Sequence, residues 1–274
     1  MYPIIPTKEG QNIMYYFFLF GILFSFILSS CSNNHVAQVV HLTNSTASEA
    51  STEDWSYSGK TGPTYWSLIN KEYALCASGK EQSPINIDRV QKKSLPLGIN
   101  YHNGLFKIEK EQYTVTLIPL NNTNSINLNG TNYPLQAFHF HTPSEHTING
   151  VHSDLEIHFI HEDMKKSVVS ISVLVNSGRL NKEFQKIMNP NLMDEDNEEK
   201  IVKINLQSFI PYTSKKVSYI GSFTTPPCTE GIKWIVFNKP IQFSDEQIHF
   251  YQNYFNPNSR PVQPLNGRVL FESW

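Results

Sequence analysis

Five short runs dominated by β-branched and aromatic residues recur along this chain: TVTLIPL at 114–120, LQAFHFHT at 135–142, LEIHFIHE at 155–162, SVVSISVLVN at 167–176 and GIKWIVFNKPI at 231–241. Turn-rich clusters such as NNTNS, NLNGTN and INGVHSD separate them. Runs of this length between turn signals read as strands. Together they predict one mainly β (α+β) domain, a large sheet with peripheral helices. Helical patterns are few, at 64–73, 179–189, 199–208 and 244–254. The last opens on Ser244 three residues before Gln247, the spacing of a capping box. The acidic MDEDNEEK at 193–200 reads as a solvated loop or helix start.

The chain has 274 residues and a net charge of −2, with no basic tract, which argues against nucleic acid as a partner. Its uncharged run Met14–Cys31 is 18 residues long. That is the short end for a spanning helix. Two readings stay open: a transmembrane anchor, or a secretory segment ending in Leu28-Ser29-Ser30-Cys31, which resembles a bacterial lipobox with Cys31 as the lipidated residue. Both export the rest, to the periplasm or cell surface. The polar stretch 32–53 reads as a flexible tether. The expected organisation is therefore a signal at 1–31, a tether at 32–53 and one folded domain at 54–274. Apart from Cys31, the two cysteines Cys76 and Cys228 make an even count and are free to pair in an oxidising compartment. Neither lies in a CxxC, which argues against a thiolate metal site or a redox motif.

The stretch FHFHTPSEH, residues 138–146, crowds three imidazoles into nine positions. On a strand, His139 and His141 project from one face while Phe138 and Phe140 project from the other. HFH alone is a weak signal, because exposed or hydrogen-bonded histidines are common. LEIHFIH strengthens it. Glu156 and His158 share a face there, and the hairpin-length connection predicts an antiparallel neighbour that brings His158 across from the HFH pair. Glu156 is then placed to accept a ring N–H. Three neutral imidazoles without thiolates suit a catalytic zinc with an open fourth position. His146, His152 and His161 read as structural or exposed.

With QSPINI (82–87), FHFHTPSEH, LEIHFIH, YIGSFTTPPC (219–228), WIVF (234–237) and RPVQPLNGR (260–268) in one order, the chain resembles the α-class carbonic anhydrases from about Trp55 to Arg268. The PSEH form and the cysteine pair are similar to the bacterial secreted branch. The resemblance implies a twisted, mostly antiparallel sheet of about ten strands with one Zn2+ at the base of a conical cleft. It implies reversible hydration of carbon dioxide to bicarbonate by zinc-bound hydroxide. His139, His141 and His158 match the metal ligands, and Glu156 the carboxylate that orients the third. Thr224 matches the hydroxyl that orients the hydroxide, and Glu145 its acceptor. Ile160, Ser170, Phe223, Thr225, Ile232 and Trp234 match the substrate pocket, and Cys76 with Cys228 the family's disulfide.

Three positions depart from the family pattern. Ala137, two residues before His139 on the same face, stands where a glutamine commonly holds the first ligand. Tyr113 stands where efficient members carry a shuttle histidine, and with an ordinary pKa of about 10 it predicts slow proton transfer. Ser170 stands at a usually apolar position. The alternatives to an enzyme are a catalytically weak or silent surface lipoprotein of the same fold and a zinc-sequestering one. Neither needs Thr224, Glu145 or an apolar pocket.

Overall fold

The structure is a computed structural model and describes residues 55–193, 200–255 and 257–274. The signal and tether readings, Cys31 among them, and most of the acidic stretch lie outside the described residues. The predicted strands form with small shifts of their ends: Val115–Pro119, Thr131–His141, Leu155–Glu162, Val168–Ser177 and Glu230–Phe243. They sit side by side in a twelve-stranded sheet. Its path runs from Lys200–Asn205 through Asn103–Lys110 and these five to Lys216–Ser222, Phe271–Ser273 and Gln91–Lys92. Pairing is antiparallel except between Val168–Ser177 and Glu230–Phe243, and between the last two strands. The sheet is thus mixed and mostly antiparallel as expected, slightly wider than ten strands.

One expected helix is a strand. Lys200–Asn205 pairs antiparallel with Asn103–Lys110. Its residues alternate in exposure, with Ile201 and Lys203 outward and Val202 and Ile204 inward. That period of two, with β-branched residues, fits a half-buried sheet surface. Only the short turn Leu206–Phe209 is helical there. Of the 179–189 pattern, Lys182–Ile187 is helical, with the Asn181 side chain capping its N-terminus. The 64–73 pattern breaks into short turns, Trp66–Ile69 and Lys71–Tyr73. Asp245–Tyr254 forms as predicted, with both halves of the Ser244–Gln247 capping box in place.

Alternation divides the hydrophobic residues between two faces. Phe138, Phe140, Ile157 and Phe159 are fully buried on one side, against Phe106, Phe184, Phe209 and Phe243. Burying each such side chain stabilises the fold by about 1.5–3 kcal/mol. The other face carries the histidines, and beside them a smaller core of Val217, Tyr219, Ile232, Trp234 and Val236. The aromatic core therefore fixes which side of the central strands faces the cleft. Slipping either strand by one residue would turn the histidines inward.

Candidate metal centre

The register His139↔His158 and His141↔Glu156 puts three imidazoles on one face of two adjacent strands. One ligand nitrogen from each of His139, His141 and His158 lies within 4.8 Å of the others. The rings are not held alike. His141 Nδ1–H donates to the Asn258 carbonyl at 2.8 Å, which leaves Nε2 buried with no hydrogen-bond partner. His158 Nε2–H donates to Glu156 Oε1 at 2.7 Å, which leaves Nδ1 for the centre. No hydrogen bond holds His139 among the described residues, and its neighbours are the other two rings at 5.0 and 5.3 Å. A buried ring nitrogen without a partner is costly. The bare Nε2 of His141, aimed at two further imidazoles, is what a bound cation would relieve. The donor set fits a borderline-soft divalent ion. Burial lowers all three histidine pKa values, most strongly that of His139, so the neutral, ligating form is present at pH 7.

Glu156 is the most heavily bonded group of the site. Oε1 accepts from His158 Nε2, His146 Nδ1 at 2.6 Å and the Ser172 hydroxyl at 2.5 Å. Oε2 accepts the backbone N–H groups of Glu145 and His146, both at 2.7 Å. Burial alone would raise this carboxyl, but the charges and hydrogen bonds of His146 and His158 hold it well below the ordinary range. A second grouping, His146, Glu156 and His158, also lies close together. Both nitrogens of His146 are already taken, Nδ1 donating to Glu156 and Nε2 accepting from the Tyr219 hydroxyl at 2.7 Å. It is a support for the ligands. His146 is structural as expected, yet its hold on Glu156 was not foreseen. His161 packs on the other face with Tyr101, and His152 bonds the Ser144 carbonyl.

Glu145 is fully buried, with Oε1 accepting the backbone N–H of Arg260 at 2.8 Å. Burial raises its pKa to about 7, while the nearby charge of His158 and the Arg260 N–H draw it down. Thr224 lies near enough to act on this carboxyl, but Glu145 Oε2 has no hydrogen-bond partner among the described residues and lies 3.6 Å from His141 Nε2. Arg260 is itself clamped, through Nη1 to Gln82 and the Ser83 carbonyl and through Nη2 to the Cys76 carbonyl. Cys76 is disulfide-bonded to Cys228, which ties the N-terminal segment to the TTPPC loop.

Above the histidines opens a cleft of 560 Å³. Ile160, Phe223 and Thr225 line it, with Tyr57 and Tyr113 nearer its mouth. Tyr113 packs against Trp55 and Tyr57, its hydroxyl donating to the Trp55 carbonyl at 3.3 Å. Ser170, Ile232 and Trp234 are buried behind this surface, so they shape the wall without forming its open face. Ser170 lies between Ile160 and Trp234 across the sheet, and its hydroxyl has no partner. Ala137 lies directly across from Ile160, beside a bulge at which Gln136 is the extra residue. Asn258, Arg260 and Ser172 are site residues that sequence reasoning missed. The RPVQPLNGR motif pointed to Arg260, but a backbone carbonyl at Asn258 leaves no signal in residue type.

Three convergent imidazoles, a carboxylate that fixes one of them and an apolar wall define a candidate mononuclear metal site on a large mixed sheet. The family model of eukaryotic-type carbonic anhydrase matches residues 61–274, and the chain belongs to that family of lyases, which hydrate carbon dioxide. A carbonic anhydrase of Klebsiella pneumoniae is 37% identical over 222 residues, covering 80% of this chain and 90% of that protein. Among solved structures, the α-carbonic anhydrase of Thermovibrio ammonificans with the inhibitor sulfanilamide superposes with a TM-score of 0.75 at 34% identity, covering 80% of this chain and 98% of that one. Dioscorin complexed with ascorbate superposes with a TM-score of 0.74 at 30% identity, covering 80% and 98%.

Proposed function

We propose that the chain is a zinc-dependent carbonic anhydrase, exported and held at a membrane by a lipid on Cys31, in which proton transfer limits turnover. The observation that carries the reading is the bare, buried Nε2 of His141 facing two other imidazoles. His139, His141 and His158 would hold the zinc. When bound, the ion supplies a Lewis acid that acidifies water near neutral pH, an effect for which carbonic anhydrase is itself the standard example.

The protein residues then have separate tasks. Glu156 keeps the His158 proton on Nε2 and Asn258 keeps the His141 proton on Nδ1, so each ring offers one defined lone pair. In this reading the Thr224 hydroxyl donates a hydrogen bond to Glu145, which leaves its oxygen to accept from the attacking water and aim it. The backbone N–H of Thr224 holds an oxygen of carbon dioxide. Ile160 and Phe223 give the substrate an apolar wall and exclude competing water. Tyr113 stands where a shuttle histidine would serve, and a phenol, unlike an imidazole, is a poor proton carrier at neutral pH. The Cys76–Cys228 disulfide supports export, since such bonds persist in oxidising compartments.

Turnover at pH 7 is expected to rise with imidazole concentration, and a buffer-independent rate overturns the proton-transfer reading. Detergent partitioning is expected to be lost in Cys31→Ser, and retention overturns the lipid anchor. His139 without a partner favours a second reading, a catalytically weak zinc-binding lipoprotein, which predicts bound zinc with negligible turnover in any buffer.

A further inference from the structure

A second concavity, of 390 Å³, lies away from the histidines. Strand register places it. Ile220 pairs with Lys233 and Ser218 with Phe271, and these residues alternate along their strands with Tyr219 and Trp234. Trp234 packs on the His158 ring at 4.7 Å, so Lys233 and Ile220 project from the opposite face of the sheet.

The chemistry of this site is unlike that of the metal cleft. Lys93 and Lys233 line it, and neither ammonium has a carboxylate partner among the described residues. Lys93 Nζ lies 4.5 Å over the Phe271 ring. Lys233 is half-buried, and burial together with the charge of Lys93 lowers its pKa. Two like charges thus line one concavity, near enough for Lys93 to act on Lys233. Glu81 also lines the wall, but its carboxylate lies close enough to Arg268 to oppose in part the burial that lowers that guanidinium's pKa. Arg268 is spent on backbone carbonyls, donating to those of Leu265, Ile220, Gln82 and Pro264, so it stiffens the wall without offering a free fork. Leu95, Ile220, Val269 and Phe271 give the lining an apolar part beside the polar Ser94, Asn129 and Ser218, and Ile220 and Val269 are each more than 40% exposed.

We propose that this concavity binds a small organic carboxylate, its anionic head between Lys93 and Lys233 and its hydrocarbon part against Leu95, Ile220 and Phe271. Two ammonium groups with no counter-ion favour an anion, and a cationic ligand is repelled. An apolar wall beside them favours an anion that carries hydrocarbon over an inorganic one, which would leave that wall wet. The lysines act as point charges, which suits a carboxylate without requiring bidentate geometry.

The test is titration calorimetry of the zinc-loaded protein with benzoate, acetate and inorganic phosphate at constant ionic strength. Benzoate is expected to bind saturably at one site that Lys93→Gln/Lys233→Gln weakens at least tenfold, with acetate several-fold weaker and carbon dioxide hydration unchanged. A benzoate molecule held in the metal cleft would be insensitive to that double variant, so an unchanged affinity overturns the proposal. Absence of saturable binding overturns it too, as does phosphate binding as tightly as benzoate. Should the double variant melt early, Lys93→Gln alone, at an exposed position, is expected to give at least a threefold loss, and no loss counts against the site.

Discussion

Ala137→Gln is expected to tighten zinc binding. Two of the three ligands are held by protein, His141 by the Asn258 carbonyl and His158 by Glu156, while His139 is held by neither side chain nor backbone among the described residues. Ala137 is two residues before His139 on the same face, lies across from Ile160 and is partly exposed to the cleft. A longer side chain has room there, and its carbonyl oxygen can accept the free ring N–H. Losing such a partner typically weakens metal binding about 10- to 100-fold, or about 1.4–2.8 kcal/mol, so restoring one should gain in that range. The low end, about tenfold, is expected because Ala137 and His139 are both partly exposed, so solvent competes for the ring N–H. Chelator competition on the full chain measures it. Ala137→Leu, similar in bulk but without an acceptor, should gain nothing. A zinc Kd unchanged within about twofold in Ala137→Gln, or an equal gain in Ala137→Leu, would refute the reasoning.

Other consequences follow from the same geometry. Glu156→Gln keeps the shape but sets an NH2 against either two backbone N–H donors or the His146, His158 and Ser172 donors. With two charge-assisted bonds lost at about 1.5–3 kcal/mol each, denaturant unfolding should show a loss of about 3 kcal/mol or more, and chelator competition a weaker zinc site. Cys76→Ser/Cys228→Ser opens a loop of sequence separation 152 and should cost about 2–5 kcal/mol, read as a lower denaturation midpoint with a steeper slope, because the denatured chain without its cross-link exposes more surface. His161, bonded to Tyr101, has its pKa lowered to about 3 by burial, against about 6.5 in the unfolded chain. Between those values the unfolded chain binds a proton that the folded one does not. The contribution of His161 is therefore complete above about pH 6.5 and lost toward pH 3, at about 1.4 kcal/mol per pH unit. His161→Phe should flatten the stability-against-pH slope by about one proton over that window, whatever its effect at pH 7.

Where the sequence was informative, the cause is local periodicity. FHFH and LEIH state by alternation which side chains go to the aromatic core and which to the cleft, so the three ligands and Glu156 were legible from residue order alone. The strand Lys200–Asn205 was not. Its lysines and isoleucines suit either period over six residues, and the pairing with Asn103–Lys110 that decides the matter is not local. The supports of the site were legible in part. His146 carries the same residue type as the three convergent histidines, and what sets it apart is that both its ring nitrogens are already bonded, Nδ1 to Glu156 and Nε2 to Tyr219. Asn258 acts on His141 through its main chain, which no residue type encodes. Ser170, Ile232 and Trp234 were placed in the pocket by resemblance. They are buried, while Ile160, the partner of Ser170 across the sheet, and Phe223 line the open cleft.

The central claim is that His139, His141 and His158 hold a zinc ion that makes the cleft a carbon dioxide hydratase. Stopped-flow hydration with zinc content determined on the same sample tests it most directly. One zinc per chain is expected, with turnover that scales with zinc content and vanishes in His158→Ala. Full zinc occupancy without hydration, or hydration that persists at negligible zinc, would contradict it.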